Sequence, residues 1–546
     1  MTSSDTTSSE RNGASSPWLP AAIAGLVAGG LALAAGELVA SLAAPQPGPV
    51  TGVANRVVDS APTWFVNFGK DLFGLADKPA LVLGTIIISV AIAAVLGVTS
   101  RSRRWIGRAG FAAFGVVGAL AIGVDAQGGW LGAIVTSVAA VAAGVGALEL
   151  LLGRLQSASS SPSLRPAGAV PIGVTESPTN PAVGRRSFLA ATGVVGAVAV
   201  AGGAASRSLR GRSSVEVARD DARSAVQASA GGEAANVQAK IDAVATSEVA
   251  STPGITPIVI SGEDFYRIDT ALLVPQVDPA TWTFTIKGMV ENELTFTYDE
   301  LLARATTIET VTLSCVSNEV GGGLVGNAVW QGIPLTELLD EAGVLPGATQ
   351  IKSTSVDGWD CGFPTAAAYD GRTSLLAVGM NDEPLPVLHG FPARLVVSGL
   401  YGYVSATKWI ESIELTTLED FDGYWIPRGW SKLGPIKTQS RIDTPRRNQT
   451  VPAGTTPIAG VAWAPNTGIE KVEIRIDGGD WLEASLGESL GPDAWRQWVL
   501  NWDATSGDHR IEVRATDSSG YTQTDVRTDV APDGATGWHT IDMTVA

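Results

Sequence analysis

The sequence predicts a multidomain protein with an N-terminal all-α transmembrane bundle, a middle α+β domain and a C-terminal β-sandwich. Three observations predict this architecture. Several stretches of the first 206 residues are nearly free of charge, tryptophan, proline and β-branched residues become frequent from about residue 253, and the last hundred residues alternate apolar and polar positions. The expected boundaries are 1–206 for the bundle, 207–252 for a linker, 253–445 for the α+β domain and 446–546 for the sandwich.

Four apolar stretches predict membrane-spanning helices, and they begin at Trp18, Ala80, Gly110 and Trp130. A bilayer core requires roughly 20 apolar residues in a helix. The first, second and fourth stretches meet that length, whereas the third is shorter. Because a soluble helix rarely stays apolar on every face, these stretches predict a bundle inside a membrane.

A fifth apolar segment follows the pair Arg185 and Arg186, which brings the expected number of spans to about five. With Ser187, Phe188 and Leu189 after the pair, the segment resembles a twin-arginine translocation signal inside the chain. The alternative is a pair of basic residues that ends a cytoplasmic loop.

The basic residues between the spans predict the orientation of the bundle. Arg101, Arg103 and Arg104 lie two spans before the 185–186 pair, so both loops fall on one side of the membrane, which the positive-inside rule makes cytoplasmic. Five spans then place the chain after about residue 206 on the extracytoplasmic side of a multi-pass cell-membrane protein. Three arginines oppose this orientation, namely Arg207, Arg210 and Arg212.

The residue inventory excludes several kinds of site. A net charge of −17 argues against nucleic acid binding, which requires a basic surface. Two cysteines cannot build an all-cysteine zinc site or an iron–sulfur cluster on their own. The three histidines, His389, His509 and His539, lie outside the predicted spans, so no haem is expected in this chain.

Two acidic residues, Glu37 and Glu149, lie inside the apolar stretches. An acid within a membrane is a candidate functional residue. Because both lie near the ends of their spans, a solvated carboxylate at the membrane surface is the favoured interpretation.

The soluble half shows three kinds of pattern. Residues 207–252 have weak apolar faces and predict a partly helical tether. Trp282, Phe284 and Ile286 alternate as in a strand, and the acids and leucines after Thr297 are typical of a short helix, so an α+β domain is expected. After residue 446, short alternating segments separated by turn residues predict a β-sandwich.

Cys315 raises the main functional question of the sequence. It ends an apolar, β-branched run and is followed by the glycines 321–323, where bare backbone allows close approach of another group. From the residues alone it could be a core residue, a nucleophile, a metal ligand or one half of a disulfide with Cys361.

Four segments in order resemble the sulfite oxidase family of molybdopterin-dependent oxidoreductases, over roughly residues 255–545. They read TVTLSCVSN, VWQGIPLTELLDEAGV, LPVLHGFPARLVVSGLYGYVSATKWIESIEL and GVAWAPNTGIEKVEIRIDGGDW. The resemblance implies a molybdopterin-binding domain at 253–445, an immunoglobulin-like dimerisation-type domain at 446–546, and a molybdenum–molybdopterin cofactor.

The resemblance also implies the site residues. Cys315 would be the molybdenum ligand, since a thiolate is a soft and strongly donating ligand. That role excludes a disulfide and leaves Cys361 as a buried free thiol. Residues implied to bind the pterin, whose phosphate needs cations and donors, are Tyr266, Asn318, His389, Arg394, Ser405, Thr407 and Lys408.

Two segments depart from the family pattern. Arg267 matches the arginine at the substrate face, but Ile268 and Asp269 follow where sulfite oxidases commonly have asparagine and histidine. Trp430, just after Arg428, stands where the family has its active-site tyrosine. Arg267, Arg428 and Trp430 are therefore the expected catalytic residues beside Cys315, and both departures weaken the expectation that sulfite is the substrate.

The functional expectation is a membrane-anchored, extracytoplasmic oxidoreductase that transfers an oxygen atom on a small substrate, for which an anion is one candidate. A separate electron carrier, quinone or cytochrome, would exchange electrons with it, and the C-terminal domain could form a homodimer. The alternatives are a reductase of sulfoxides or N-oxides with the same cofactor, or a non-catalytic cell-surface binding protein.

Overall fold

The computed structural model describes residues 18–42, 46–62, 65, 68–69, 72–73, 76–159, 181–210 and 214–546. The chain divides into two units, Met1–Arg212 and Ser213–Ala546. Helices of the first unit are α1 Leu19–Leu42, α2 Pro49–Ser60, α3 Asp77–Thr99, α4 Arg104–Gly123, α5 Trp130–Ser159 and α6 Pro181–Arg210.

Among the described residues of the first unit, five helices are long and apolar enough to cross a membrane, as the sequence predicts: Leu19–Leu42, Asp77–Thr99, Arg104–Gly123, Trp130–Gln156 and Ser187–Ala204. The third, expected to be short, has 20 residues because its helix already begins at Arg104. Arg185 and Arg186 belong to α6, but their side chains lie outside the described part of the chain.

Both acidic residues of the apolar stretches have protein partners. Glu149 accepts hydrogen bonds from Arg104 at 2.7 Å and Arg108 at 2.9 Å, which forms an ion cluster between α4 and α5. Glu37 Oε1 accepts from the backbone N–H of Val50 at 3.1 Å, in the first turn of α2. The first N–H groups of a helix have no partner inside the helix, so Glu37 caps α2 rather than being held by solvent alone.

The predicted tether is a helix that packs on the second unit. α7 spans Ser214–Ala245 and is interrupted at Gly231, which has φ 54° and ψ −143°. Val226 of α7 is fully buried in the core of the α+β domain, and its carbonyl accepts a hydrogen bond from Gln331 at 2.9 Å. Alanines make up part of the apolar face of α7, so the face has low hydrophobicity when it is judged from the sequence. The same small side chains allow the helix to pack closely on the domain.

The α+β domain contains two sheets. One has the order β2-β1-β10-β5-β6, and the other has the order β3-β4-β7-β8 with β9 paired to β7. The strands are β1 Thr283–Gly288, β2 Leu294–Thr297, β3 Thr307–Ser314, β4 Val325–Pro334, β5 Gln350–Ser355, β6 Asp360–Pro364, β7 Ser374–Met380, β8 Glu383–Pro384, β9 Arg394–Val397 and β10 Ile410–Thr416. The helices are α8 Tyr298–Arg304, α9 Leu335–Ala342, α10 Ala366–Tyr369 and α11 Gly402–Ser405.

Local sequence explains several of these elements. Phe284 and Ile286 of β1 are both fully buried, as their alternation predicts. Thr297 and Glu300 form a reciprocal capping box at the start of α8, which satisfies two N–H groups that the helix leaves unpaired.

The C-terminal domain is a sandwich of two sheets with orders β11-β13-β17-β16 and β12-β19-β18-β14-β15. Its strands are β11 Gln439–Thr444, β12 Thr450–Val451, β13 Gly454–Trp463, β14 Ile469–Ile476, β15 Trp481–Glu483, β16 Ser485–Leu486, β17 Arg496–Ala504, β18 Gly507–Asp517 and β19 His539–Val545. Because β11 pairs with β13, the sandwich begins near residue 439, slightly before the expected boundary at 446.

Candidate functional site

Cys315 opens the loop that joins the antiparallel strands β3 and β4. The base of the loop is closed by a hydrogen bond of 2.9 Å from the N–H of Cys315 to the carbonyl of Leu324. Asn318 Oδ1 accepts from the N–H of Leu324 at 2.8 Å, and the N–H of Ser317 lies 3.4 Å from Cys315 Sγ. Cys315 is partly exposed and forms no disulfide, so its sulfur is accessible as a nucleophile or ligand.

Cys361 lies on the buried strand β6 and is not bonded to Cys315. Its Sγ lies 3.4 Å from Ser353 Oγ and 3.2 Å from Thr407 Oγ1. Burial raises the pKa of the Cys361 thiol to about 12, so it stays protonated and unreactive at neutral pH. Thr407, expected to bind the cofactor, therefore directs its hydroxyl towards Ser353 and Cys361.

Tyr266 interacts electrostatically with both Cys315 and the buried Arg394. Burial is the largest cause of its raised pKa, and the nearby Cys315 raises it further while Arg394 lowers it. Phe265 stacks on Tyr266 with ring centroids 5.2 Å apart and meets the His389 ring edge-on at 5.6 Å. The phenol of Tyr266 is thus a permanent hydrogen-bond donor within electrostatic range of Cys315.

Arg394 is buried with only backbone acceptors. Its Nε lies 3.3 Å from the carbonyl of Leu395 and its NH1 lies 3.2 Å from the carbonyl of His389. Within the described ranges no carboxylate forms an ion pair with Arg394. Burial lowers the pKa of Arg394 to about 10, which leaves it charged at neutral pH. A buried cation without an acid is costly, so the site suits an anionic ligand.

His389 supplies a neutral donor beside this arginine. Burial, followed by the charge of Arg394, lowers the pKa of His389 to about 4. Its Nε2 donates to the carbonyl of Gly262 at 2.8 Å.

Lys408, Arg267 and Asp269 form one ion cluster. A carboxylate oxygen of Asp269 lies 2.8 Å from Lys408 Nζ and 2.7 Å from Arg267 Nε. Burial lowers the pKa of Lys408 to about 8, and Asp269 opposes this shift. The sequence singled out Asp269 only as a departure from a pattern, because its pairing with Lys408 spans 139 positions.

Ser405, the remaining hydroxyl donor expected at the cofactor, is fully buried in α11. Its Oγ donates to the carbonyls of Tyr401 at 3.2 Å and Leu400 at 3.4 Å. The hydroxyls of Ser405 and Thr407 thus stabilise the protein around the site in this structure.

Trp430 forms an aromatic wall with Tyr403 and Trp425, at ring-centroid distances of 5.8 Å and 6.4 Å. Tyr403 lies on α11, whose first residue, Gly402, approaches the end of β3 beside Cys315. Arg428 donates to the carbonyl of Tyr424 at 2.6 Å, and its guanidinium lies over the Tyr424 ring. These two contacts hold the charge of Arg428 beside the aromatic wall.

The residues fit a cofactor that brings its own metal ligands and carries an anionic group. Among the described residues no group of three His, Cys, Asp or Glu is placed to hold a metal ion. A metal at Cys315 would thus take its other ligands from outside the protein. Arg394 and Lys408 provide the cations that a phosphate requires.

Comparison with known proteins gives two family matches. Residues 271–425 match the oxidoreductase molybdopterin binding domain, and residues 439–513 match a bacterial Ig domain. The first match includes Cys315 and most of the expected cofactor-binding residues. Tyr266, Arg267, Arg428 and Trp430 lie outside it.

Curated relatives match about half of the length of this chain. Mitochondrial sulfite oxidase of Macaca fascicularis is 29% identical over 330 residues, which are 50% of this chain and 60% of that protein. Sulfite oxidase of Gallus gallus is 27% identical over 56% of this chain and 76% of its own length. Nitrate reductase [NAD(P)H] of Hordeum vulgare is 26% identical over 46% of this chain and 35% of its own length.

The chain spans about 60% of the length of the first mitochondrial relative. A solved structure, the sulfane dehydrogenase SoxCD from Paracoccus pantotrophus, aligns with a TM-score of 0.47 and 24% identity over 53% of this chain and 85% of that chain. The domain match and the curated relatives show that this chain contains a molybdopterin-binding oxidoreductase domain similar to that of the sulfite oxidases.

Proposed function

We propose that this protein is a membrane-anchored molybdenum oxidoreductase that transfers an oxygen atom to or from a small substrate on the extracytoplasmic side. The observation that carries the proposal is the buried Arg394, whose guanidinium has only backbone acceptors. Tyr266 interacts electrostatically with both Arg394 and Cys315, so the two lie around one tyrosine. A thiol and an unneutralised buried cation in one site suit a molybdopterin, with Cys315 as metal ligand and the cation beside the phosphate.

The protein residues have separate roles in this proposal. Arg394 and Lys408 hold the anionic end of the cofactor, and the neutral His389 donates to the carbonyl of Gly262 and adds no charge to the site. Tyr266 keeps its proton because its pKa is raised, so it donates a hydrogen bond at the face that carries Cys315. When bound, the cofactor supplies two-electron oxygen-atom transfer, and the protein supplies orientation and electrostatics.

The substrate pocket is proposed to lie against Trp430 and Tyr403. Arg267 contributes a weaker charge than its residue type implies, because Asp269 neutralises part of it. Arg428, at the rim, is the second candidate for attracting an anion. An apolar wall and a partly neutralised arginine favour a small substrate with little charge over a dianion.

The membrane part is proposed to anchor the enzyme after export through the signal at Arg185 and Arg186. The five apolar helices support the anchoring. Since the predicted spans contain no histidine, electrons would pass to or from a separate quinone or cytochrome. Replacement of both arginines by lysine should retain a reporter fused after residue 546 in the cytoplasm, whereas replacement of Arg101 and Arg103 should not.

Elemental analysis tests the metal ligand. The wild-type protein, purified from a host that makes the cofactor, should contain molybdenum at a stoichiometric level. Cys315→Ser should lose the metal or change its spectrum, while Cys361→Ser should keep both. Full molybdenum with an unaltered spectrum in Cys315→Ser would refute the assignment, and no molybdenum in the wild type would favour a non-catalytic binding protein.

A reductase of sulfoxides or N-oxides is the second candidate, and Trp430 favours it. An indole in place of a phenol adds apolar surface to the pocket and removes an acidic hydroxyl. Supplying a reduced dye with candidate sulfoxides should then cause substrate-dependent dye oxidation. Dye reduction with oxyanion substrates, and no dye oxidation, would support the oxidising direction instead.

A further inference from the structure

The C-terminal sandwich contacts the tip of the loop that carries Cys315. Arg441 of β11 donates from NH1 to the carbonyl of Gly322 at 3.0 Å. His539, the first residue of β19, packs against Gly321, and a Cβ added at Gly321 would overlap the imidazole ring. Gly321 has a φ of 79°, which side chains other than glycine rarely adopt. The loop tip is therefore shaped to fit the sandwich.

The sandwich also covers the strand that leads to Cys315. β3 is an edge strand of its sheet. The N–H of Thr312 on this edge donates to the carbonyl of Asp493 at 2.9 Å, and the hydroxyl of Thr312 accepts from the N–H of Trp495 at 2.7 Å. Asp493 and Trp495 belong to the connection that leads into β17, so the sandwich supplies partners that the edge of β3 lacks within its own sheet.

The contacting residues of the sandwich are themselves fixed. His539 Nδ1 accepts from the N–H of Ile442 at 2.9 Å. Arg441 pairs with Asp443 at 2.7 Å and donates to Thr256 at 2.9 Å. A loop held between anchored groups has fewer accessible conformations, which is how a supporting layer orients a ligand.

We propose that the C-terminal sandwich positions the Cys315 sulfur, and that His539 and Arg441 act as positioning residues through Gly321 and Gly322. This inference rests on the proposed function, because it takes Cys315 to be the metal ligand. It assigns to the sandwich a role within one chain, separate from dimerisation. The loop is closed at its base by its own backbone, and its tip is held by the other domain.

A pair of glycine variants in the same loop tests the proposal. Gly321→Ala introduces both backbone strain and overlap with His539, whereas Gly323→Ala meets nothing within 4 Å and serves as the matched control. We expect Gly321→Ala to retain roughly tenfold less molybdenum than Gly323→Ala, as a strained backbone position disfavours the native loop. The second measurement is the rate of Cys315 alkylation by iodoacetamide in cofactor-free protein, read by mass spectrometry, with the buried Cys361 as internal reference.

Rescue separates positioning from general damage. In Gly321→Ala/His539→Ala the overlap is removed but the contact of His539 with the loop is also lost, so the alkylation rate should return only part of the way to wild type, whereas His539→Ala alone should move it away from wild type. Should Gly321→Ala fail to fold, Arg441→Gln replaces it, with the exposed Arg446→Gln as control. Arg441→Gln should then change the alkylation rate of Cys315 while Arg446→Gln leaves it unchanged.

The outcomes distinguish the two proposals. Positioning by the sandwich is overturned if Gly321→Ala and Gly323→Ala have the same molybdenum content and the same alkylation rate of Cys315. Where the arginine pair is used instead, it is overturned if Arg441→Gln and Arg446→Gln have the same alkylation rate. In both cases the assignment of Cys315 as metal ligand stands. If no variant or wild-type protein carries molybdenum, the proposed function is overturned, and the alkylation comparison still decides whether the sandwich controls Cys315.

Discussion

The carboxylate of Asp269 lies 2.8 Å from Lys408 Nζ, and its side chain is only 5% exposed. The same oxygen also contacts Arg267. One buried acid therefore contacts two cations, while a third cation of the site, Arg394, has only backbone acceptors among the described residues. This arrangement sets how much positive charge the site presents to a cofactor phosphate and to a substrate.

Replacing Asp269 with asparagine should lower the pKa of Lys408 below its present value of about 8, because Asp269 raises that pKa against the effect of burial. In the proposed cofactor site Lys408 binds the phosphate as a cation, so retention of the cofactor should weaken as pH rises through the pKa of Lys408. In Asp269→Asn this loss should begin at lower pH. The measurement is molybdenum content after dialysis between pH 6 and pH 9.

Asp264→Asn is the control for this charge change, since Asp264 is exposed and its carboxylate bonds Ser261. Asp264→Asn should show the same dependence of molybdenum content on pH as the wild type. Asp269→Asn should also bind sulfate more tightly through the released Arg267, measured by calorimetry. A pH profile identical to that of the wild type would contradict the charge-setting role of Asp269.

The stability of the second unit should fall as pH falls from about 6.5 to about 4, in part because of His389 and His539. Burial lowers the pKa of each to about 4. The unfolded chain binds more protons in that window, since a free histidine has a pKa near 6.5, and acid therefore favours unfolding. For the buried His389 the contribution is on the order of 3 kcal/mol.

His389→Gln should flatten this part of the curve of unfolding free energy against pH, measured by urea denaturation of the cofactor-free protein. His509 is a control of opposite sign, because its hydrogen bond to Asp477 raises its pKa. Its stabilisation is present at low pH and is lost as pH rises through the raised pKa. A curve for His389→Gln parallel to that of the wild type would contradict burial of His389 in its neutral form.

Replacing Trp430 with tyrosine should shift substrate preference towards sulfite. The change introduces the phenol that the resemblance to the sulfite oxidases implies at this position, and it reduces the apolar wall against Tyr403 and Trp425. We expect kcat/KM for sulfite to rise and kcat/KM for an apolar sulfoxide to fall. Trp481→Tyr, in the sandwich, is the control and should leave both values of kcat/KM unchanged. If Trp430→Tyr changed kcat/KM for both substrates by the same factor, Trp430 would only support the fold.

The sequence predicted those parts of the site that depend on local patterns. Cys315 was expected at the end of a strand before a glycine loop, and the structure has it there, between β3 and β4. Arg394 was expected beside a buried strand and begins β9. Such predictions succeed because alternation and glycine runs report on neighbouring residues.

Pairings between distant residues could not be read from the sequence. Asp269 meets Lys408 across 139 positions, and His539 meets Gly321 across two domains. The linker prediction differed from the structure for a related reason: the buried face of α7 includes alanines, which look weakly apolar until a partner surface is known. No local rule specifies such contacts, since tertiary packing decides them.

Two valines of α7 test whether this helix belongs to the domain or is a tether. Val226 is fully buried, whereas Val217 is 63% exposed on the same helix. Val226→Ala should lower the free energy of unfolding by about 1–3 kcal/mol, as expected for removing buried methyl groups from a packed core. Val217→Ala should change it by less than about 0.5 kcal/mol. Both substitutions favour an isolated helix equally, because alanine has the higher helix propensity. A tether would therefore gain slightly from either change, and only a helix packed on the domain would lose stability at Val226 alone, which chemical denaturation measures directly.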